Sequence, residues 1–513
     1  MIAQYRLRAG MLAFIFACIF LAPLSLLSAS GEEDIQNPGI PIEEAILRAL
    51  ENNRAFRIER LNPEIRKTYE DEEKAAFDPT ISFDSSQSKS TLVSGIVDLT
   101  KIERKNNSLE VSKNFSTGTE VSIGVETQRI DSERSGTQTS AAGVISLSQP
   151  LLKGFGRGAN LANLRKASLA LRASEYEFRG FAESLVADVE KTCWDYILAQ
   201  KRISIFLESR KIAEEQLEET RKRIKIGKLA KVELYAAEAE VALRKEALIN
   251  ARSDLDLTRL KLQRLINNPE GNSLESEISI SDKPVAAEAE ISAIQEHISR
   301  ALKMRPEINQ ARLDLKQDEI EIVRTKNGLL PVLDFFITVG KTGYADSFGE
   351  AFKSIDDGKY DISAGITFNY PIKKRADRAK YNRSMLYRKQ SEEALKNLEQ
   401  LVEVDVRSAI IEIRRAKEQV SATAATRKLQ EESLRAETEK FRVGKSTALL
   451  VARAQRDFTL SQLSEVESVI TYLKATINLY QQEGTLLTRR GIAAPGDEPV
   501  MLSTSLMKRA SGR

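Results

Sequence analysis

Apolar residues recur at every third or fourth position through two very long stretches of this chain. The first stretch runs from about Asn160 to Ile226 and contains no proline. The second, from about Lys374 to Val443, has the same character. At a rise of 1.5 Å per residue each would form a rod about 100 Å long, which no compact globular core can house. The apolar stripe of the first rod comprises Leu171, Phe178, Phe181, Leu185, Val189 and Cys193.

Each rod is followed by a lone glycine and then by a shorter helical pattern. Gly227 precedes a heptad-like pattern that stops near Asn267, and Gly444 precedes one that reaches Tyr480. These spacings predict two antiparallel helical hairpins whose tips lie near the glycines, because a reversal between two helices favours a residue that tolerates positive φ.

Four further helical patterns accompany the hairpins, and two of them supply the length that the shorter arms lack. The stretches 53–76 and 306–327 are long enough to stack end to end with those arms and restore rods of about 60 residues. Short helices near 42–51 and 291–303 would then form a belt around the rods at the joint.

Strand patterns with a period of two separate the helical blocks. Strands of about ten residues that are apolar on one face suit the wall of an outer-membrane barrel, although a soluble sandwich shares this period. The interval from Pro79 to Pro150 exceeds that from Pro331 to Pro371 by about one hairpin, near 107–130. Whether this extra hairpin joins the barrel is left open. The alternating stretches are Leu333–Gly340, Ile362–Tyr370, Glu120–Glu126 and Val144–Gln149.

This organisation is duplicated within the sequence. Arg223-Ile-Lys-Ile-Gly227-Lys aligns without a gap with Lys440-Phe-Arg-Val-Gly444-Lys, and Ala49 to Pro79 matches Ala301 to Pro331 at one constant offset. A repeated unit that cannot bury its apolar face alone predicts an assembly rather than a catalytic pocket.

The first thirty residues resemble an export signal. Arg6 and Arg8 are its positive region, Met11 to Leu27 is its apolar core, and small residues at 28–30 offer a cleavage site. A membrane anchor is the alternative, which the short apolar run and its internal proline disfavour.

Composition excludes several classes of protein. The 77 basic and 74 acidic side chains nearly cancel, so the chain has no large positive net charge that would attract nucleic acid. The single His297 and the lone mature Cys193 exclude a His/Cys metal cluster and an intrachain disulfide. No nucleophile and base are paired in a recognisable motif, so we expect no enzyme, no cofactor and no metal.

These features together resemble the TolC-type outer-membrane efflux proteins, the outer membrane factor family. The resemblance rests on the ordered duplication, on Ser148-Gln-Pro-Leu-Leu-Lys-Gly154-Phe-Gly-Arg157 before the first rod, and on the Ala237-Glu238 and Ala454-Gln455 pairs beyond the tips. It implies a mainly α fold with a transmembrane β-barrel contribution, in which duplicated long antiparallel helical hairpins form a trimeric α-barrel continuous with a β-barrel. Four strands per subunit would then give twelve strands in the barrel.

The resemblance also implies function, location and partners. The chain would be the outer-membrane channel subunit of a tripartite efflux pump or type I secretion system, a passive trimeric conduit from periplasm to exterior. Its partners would be two sister copies, outer-membrane lipid, a periplasmic adaptor protein and an inner-membrane transporter of the RND, ABC or MFS type. Binding of the adaptor and the transporter would open the channel. The alternative is a periplasmic adaptor with a coiled-coil hairpin, which would carry one hairpin rather than two.

Two sets of candidate site residues follow from the resemblance. The tip and adaptor contact comprises Gly227, Gly444, Ile226, Leu229 and Val443.

The second set concerns the pore constriction. Family members often carry acidic residues six and nine positions after the second glycine, but Leu450 and Arg453 stand there, whereas Glu233 fits at the matching place in the first repeat. Glu233, Leu450 and Arg453 are therefore the constriction candidates, with Glu233 and Arg453 either gating charges or ordinary solvated ones.

The predicted division of the chain follows these elements. It runs as a signal peptide (1–30), an N-terminal equatorial and helical segment (31–78), a first strand region with the extra hairpin (79–150), a first long hairpin (151–269), an equatorial segment and helix (270–330), a second strand hairpin (331–371), a second long hairpin (372–484) and a flexible C-terminal tail (485–513).

Overall fold

A computed structural model describes residues 39–94, 98–132, 136–266, 278–286, 292–356 and 360–501. The predicted export signal lies outside these residues. The helices are α1 (Ile42–Asn52), α2 (Arg54–Glu59), α3 (Leu61–Ala75), α4 (Arg157–Asn160), α5 (Ala162–Lys225), α6 (Val232–Ile266), α7 (Ile294–Met304), α8 (Pro306–Gly328), α9 (Phe348–Lys353), α10 (Arg375–Arg442), α11 (Ala448–Gln482) and α12 (Leu486–Arg489). The strands are β1 (Thr80–Ser94), β2 (Asp98–Asn114), β3 (Glu120–Ser132), β4 (Gly136–Pro150), β5 (Val332–Ala345) and β6 (Asp361–Asn369).

Two long helical hairpins form the body of the molecule, which confirms the predicted duplication. Helix α5 has 64 residues and packs against α6, and α10 has 68 residues and packs against α11. Helices α5 and α11 also contact each other, so the two hairpins lie side by side. The buried stripes of α5 and α10 are rich in alanine and β-branched residues, which let the rods approach closely.

The short arms continue end to end into other helices. The side-chain amide of Asn53, at the start of α2, donates to the carbonyl of Leu265 at the end of α6 over 2.9 Å. In the second repeat, a Cβ on Gly484 beyond α11 would lie 2.9 Å from the backbone of Arg305, just before α8. The structure therefore places α2 and α3 beyond α6, and α8 beyond α11.

Two apolar clusters hold the belt at these joints. Helix α1 packs its apolar face on α5 and α6, and helix α7 packs on α8 and α10. Buried side chains of the belt include Ile46, Ile298 and Ala301. Burial of such side chains stabilises the fold by about 1.5–3 kcal/mol for each large aliphatic group.

Charged groups are buried in the same region. The carboxylate of Glu483 is fully buried and contacts His297 Nδ1, Arg300 at 3.2 Å and the hydroxyl of Thr485 at 3.0 Å. Because a buried charge is tolerated only when it is paired, this cluster fixes the end of α11 against α7.

All six strands form one antiparallel sheet in the order β1-β2-β3-β4-β5-β6. The sheet of the described residues therefore has two strands more than the four per subunit that the resemblance implied for the barrel. The extra hairpin is β2 and β3, which are longer than the predicted 107–130 and are hydrogen-bonded to β1 on one side and β4 on the other.

The prediction of a flexible tail from residue 485 is also wrong for residues 485–501. Leu486 and Leu487 are fully buried, and the backbone N–H of Val500 donates to Asn309 Oδ1 over 2.7 Å. The hydroxyl of Tyr176 donates to the carbonyl of Glu498. Few apolar residues anchor this segment, which is why its composition alone indicated a solvated tail.

Candidate functional site

The two hairpin tips are built on the same turn. Gly227 and Gly444 adopt φ values of 72° and 77°. The backbone N–H of Lys228 donates to the carbonyl of Arg223 over 2.9 Å, and the equivalent bond at the second tip is 2.8 Å long. These bonds satisfy helix-terminal carbonyls in a Schellman-type cap. Open space surrounds both glycines, so the left-handed backbone rather than crowding requires glycine here.

The candidate contact residues at the tips differ in exposure. Ile226 is 63 % exposed and Val443 is 67 % exposed, and Val232 beside them is equally exposed. Leu229 instead packs against a small cluster that contains buried Phe441. The tips therefore present a small apolar surface around Ile226 and Val443, while Leu229 joins one hairpin to the other.

A contact that the sequence did not indicate ties the two tips together. The guanidinium of Arg223 stacks on the ring of Phe441 at 4.4 Å from its centroid, and its Nη1 donates to the Phe441 carbonyl over 3.0 Å. Stacking of an arginine on an aromatic ring combines cation–π attraction with packing. The only sequence signal was the place of both residues in the aligned tip segments, which reveals spacing and not contact.

A cleft of about 390 Å³ lies between the hairpins a few turns above the tips. Its walls are mostly alanine and leucine, with a charged edge where Arg456 pairs with Glu240 at 3.1 Å. Small side chains on facing helices leave room for another helix to pack closely. Its lining includes Ala213, Ala236, Ala239, Leu243, Leu434 and Ala452.

The constriction candidates do not form a site within one chain. Glu233 lies half-buried in the first turn of α6, whereas Leu450 and Arg453 are exposed in the first turns of α11. Among the residues that the structure describes, no ion pair joins Glu233 to Arg453. A gating role for these residues stays a prediction.

The sheet has one apolar and one polar face near the helices. Register places Phe83 opposite Leu109, and Leu109 opposite Val125, so the apolar residues of β1, β2 and β3 form one row. The opposite face carries Ser82, Asp84, Ser108, Glu110, Glu126, Ser146, Thr338 and Thr367. The row on the apolar face continues through Ile123, Ile145, Val339, Ile337, Ile362 and Ile366, several of them more than half exposed.

Helix α9 covers part of this apolar face at the end away from the long helices. Ala141 and Gly343 are opposite each other on β4 and β5, and a Cβ on Gly343 would lie 2.1 Å from the carbonyl oxygen of Ala351 in α9. Phe348 and Phe352 of α9 remain about half exposed beside the apolar row.

The junction between sheet and helices is held by polar contacts. Asn327, at the end of α8, accepts the backbone N–H of Gly154 through Oδ1 over 2.8 Å. The N–H of Gly156 donates to the carbonyl of Thr117 in the β2–β3 turn over 3.0 Å. The glycine-rich segment around Gly154 is therefore a strand-to-helix junction, and its backbone N–H groups are used by the protein itself.

Two kinds of feature are absent from the described part of the chain. None of its helices is both long enough and apolar enough to cross a membrane. Within the same residues, no group of three or more His, Cys, Asp or Glu side chains is placed to hold a metal ion.

The chain is similar to known proteins along most of its length. Nodulation protein T of Rhizobium leguminosarum bv. trifolii is 22% identical over 351 residues, which cover 67% of this chain and 73% of that protein. The CmeC outer membrane channel of Campylobacter jejuni has a TM-score of 0.66 at 14% identity, with 96% of this chain and 97% of CmeC covered. The open state of the Neisseria gonorrhoeae MtrE outer membrane channel has a TM-score of 0.63 at 20% identity, with 87% and 89% covered.

At these identities the solved structures establish the fold, which is that of the TolC-like channels. The sequence model for outer membrane efflux proteins matches residues 45–268 and 297–485, the two repeats that hold the hairpins. The chain therefore belongs to the outer membrane efflux protein family.

Proposed function

We propose that this chain is the outer-membrane channel subunit of a tripartite efflux pump or type I secretion system, a passive conduit formed by three copies. The observation that carries the proposal is the junction of a two-faced sheet with two helical hairpins about 100 Å long. The apolar face suits lipid, and the polar face suits a water-filled interior.

The sheet edges support association of identical copies. In the described residues β1 pairs only with β2, and β6 pairs only with β5. Unpaired strand edges cannot face lipid, because no water is present there to satisfy their backbone groups. Closure with sister subunits satisfies both edges, and the similarity to trimeric family members supports three copies.

The apolar face would contact outer-membrane lipid. Phe348 and Phe352 of α9 lie where this face ends, and amphipathic or aromatic side chains are enriched at membrane boundaries. Export by residues 1–30 would deliver the chain to the periplasm and the outer membrane.

The tips would bind the periplasmic adaptor, which links the channel to an inner-membrane transporter. Exposed Ile226 and Val443 and the alanine-lined cleft above them form an apolar surface suited to a helical hairpin. Arg453 and Glu233 of the three copies would lie near the threefold axis and control ion passage there.

Assembly is tested first. The purified mature chain should require detergent, run as a trimer and conduct ions in planar bilayers. A compact monomer that is soluble without detergent would overturn the proposal.

Adaptor binding is tested at the second tip. Gly444→Val should impair efflux while trimers persist, because valine is strained at a φ of 77°. Gly349→Val is the matched control, since that glycine also has open space around it but no left-handed backbone. Normal efflux by the Gly444 variant would contradict tip docking.

The constriction is tested by single-channel recording. Arg453→Ala should raise cation permeability relative to anions, since three positive charges would leave the axis. Arg252→Ala on α6 serves as the control. Unchanged conductance and ion preference in Arg453→Ala would remove the gating role.

A further inference from the structure

The first repeat carries two more strands than the second. Between α8 and α10 the chain forms β5 and β6, whereas between α3 and α5 it forms β1, β2, β3 and β4. Strands β1 and β4 occupy the places that match β5 and β6, because each directly follows or precedes the long helical elements. The surplus is therefore the β2–β3 hairpin.

This hairpin is continuous with the rest of the sheet. Every residue of β1 is paired with β2, from Thr80 opposite Ser112 to Ser94 opposite Asp98. Strand β3 is paired with β4 along its whole length. Leu109 and Val125 carry the apolar row across the hairpin without a break. A hairpin lying outside the wall would not need a face that matches its neighbours.

The turn of the hairpin is also fastened at the helical end of the sheet. The N–H of Gly118 donates to the carbonyl of Phe115 over 2.8 Å, which closes the turn. Gly118 has a φ of 92°, and a Cβ there would lie 2.4 Å from the carbonyl oxygen of Gly154. With the Thr117–Gly156 bond, this close approach seats the β2–β3 turn on the segment that leads into α5.

From this we infer that the wall of the assembled channel has eighteen strands, six from each of three copies, with β1 of one copy paired to β6 of the next. The inference rests on the proposed trimer. Strand direction alternates through the sheet, so β1 and β6 run in opposite directions and meet as an antiparallel pair. Closed antiparallel barrels have an even number of strands, which six per copy satisfies.

The circumference of a wall with eighteen strands matches that of the helical tunnel. Eighteen strands spaced about 4.8 Å apart and tilted by about 40° have a circumference of about 110 Å. Each copy contributes four rods, and twelve helices at spacings of 8–10 Å have a circumference of roughly 100–120 Å. Twelve strands at the same spacing and tilt have a circumference of about 75 Å.

A wall of eighteen strands would not be the part of the channel that limits the size of the cargo. The enclosed cross-section of eighteen strands is about twice that of twelve, because the diameter grows with the number of strands. Size selection then falls on the helical tips, and the wall admits bulky cargo that a twelve-stranded wall would exclude.

Cysteine cross-linking identifies the strand that meets β6 of the neighbouring copy. Phe83→Cys on β1 and Val125→Cys on β3 lie in the same row of the apolar face. Each is combined with a cysteine scanned through the apolar-face positions of β6, and the assembled channel is treated with a bis-maleimide. Cys193 is buried, so we expect it not to react in the folded channel. The Phe83 series should yield covalent trimers for at least one position, and the Val125 series should yield none.

The possible outcomes separate this inference from the proposed trimer. Cross-links from Val125 would mean that β1 and β2 are displaced and the wall has twelve strands, which overturns the inference but keeps the trimer. A trimer with no cross-link in either series also overturns the inference. Should the cysteine variants fail to fold, the strand count read from electron microscopy of the unmodified channel decides, and twelve strands would be the contrary result. A monomer in every condition would contradict the proposed function itself.

Discussion

Replacing Glu183 by glutamine should remove a specific part of the pH dependence of stability. Glu183 lies on α5 with only 3% of its surface exposed, 3.7 Å from the guanidinium of equally buried Arg179. The pKa of Glu183 is raised to about 7, chiefly by burial; Arg179 and Arg305 oppose the rise, and the nearby Glu307 adds to it. Neither Arg179 Nε nor Glu183 Oε1 has a hydrogen-bond partner.

The size of the effect follows from this pKa. Below pH 4.5 the carboxyl is neutral in both the folded and the unfolded chain, so its contribution to stability is fully present. As pH rises from 4.5 to 7, the unfolded chain releases this proton while the folded chain keeps it, and the free energy of unfolding falls. The loss is about 3 kcal/mol per chain, since each pKa unit corresponds to about 1.4 kcal/mol. Above pH 7 this carboxyl causes no further change.

The assay is thermal unfolding of the detergent-solubilised channel between pH 4.5 and 8, followed by circular dichroism. The difference in unfolding free energy between the original protein and Glu183→Gln should fall with rising pH and then level off above pH 7. Glu177→Gln, which changes an exposed carboxylate on the same helix, should leave the pH profile of the original protein intact. Parallel profiles for Glu183→Gln and the original protein would refute the reasoning.

Three further outcomes are expected. Phe441→Ala should destabilise the tips by about 3–4 kcal/mol, because it removes a buried ring and the stacking partner of Arg223; faster hydrogen exchange confined to the tips would show it, and unchanged exchange would count against the contact. Glu483→Ala should cost about 3–5 kcal/mol, since it leaves His297 and the neighbouring arginines without their buried carboxylate; a melting temperature equal to that of the original protein would contradict this. Cys193 should resist maleimide at pH 8 until the chain is denatured, because burial raises its pKa to about 12; rapid labelling of the folded channel would be the contrary finding.

The long helices could be predicted because their sequence signal is local and long. An apolar stripe that continues without proline through Leu185 and Val189 has no alternative to a helix of that length. Gly227 and Gly444 mark the tips for an equally local reason, since only glycine adopts a positive φ there without strain.

The full length of the strands could not be predicted from a local pattern. Beyond Phe83 on β1, and before Leu109 on β2, both faces carry polar residues, so no period of two remains to indicate a strand. Exposed side-chain contacts add to the backbone pairing there: the hydroxyl of Ser85 donates to Asn107 Oδ1 over 2.8 Å, and the side-chain amide of Asn107 donates to the hydroxyl of Thr127 over 3.3 Å. Such cross-strand pairs depend on register, which a single stretch of sequence does not contain.

Only part of the candidate site could be predicted, because some of its contacts join residues that are far apart in the sequence. The position of the tips is a local property of the chain, whereas the stacking of Arg223 on Phe441 joins residues 218 positions apart. The burial of Val500 against Asn309 likewise arises from tertiary packing, and nothing in the polar, proline-containing segment around it indicates this contact.

The docking of residues 485–501 affects the order in which the protein can mature. Synthesis proceeds from the amino terminus, so Tyr176 and Asn309 are made long before Glu498 and Val500, which complete their surroundings. A nascent or prematurely terminated polypeptide consequently leaves Tyr176, in the first half of α5, and Asn309, at the start of α8, uncovered. A chain that ends before Glu498 is therefore expected to be cleaved by added protease faster than the full-length chain.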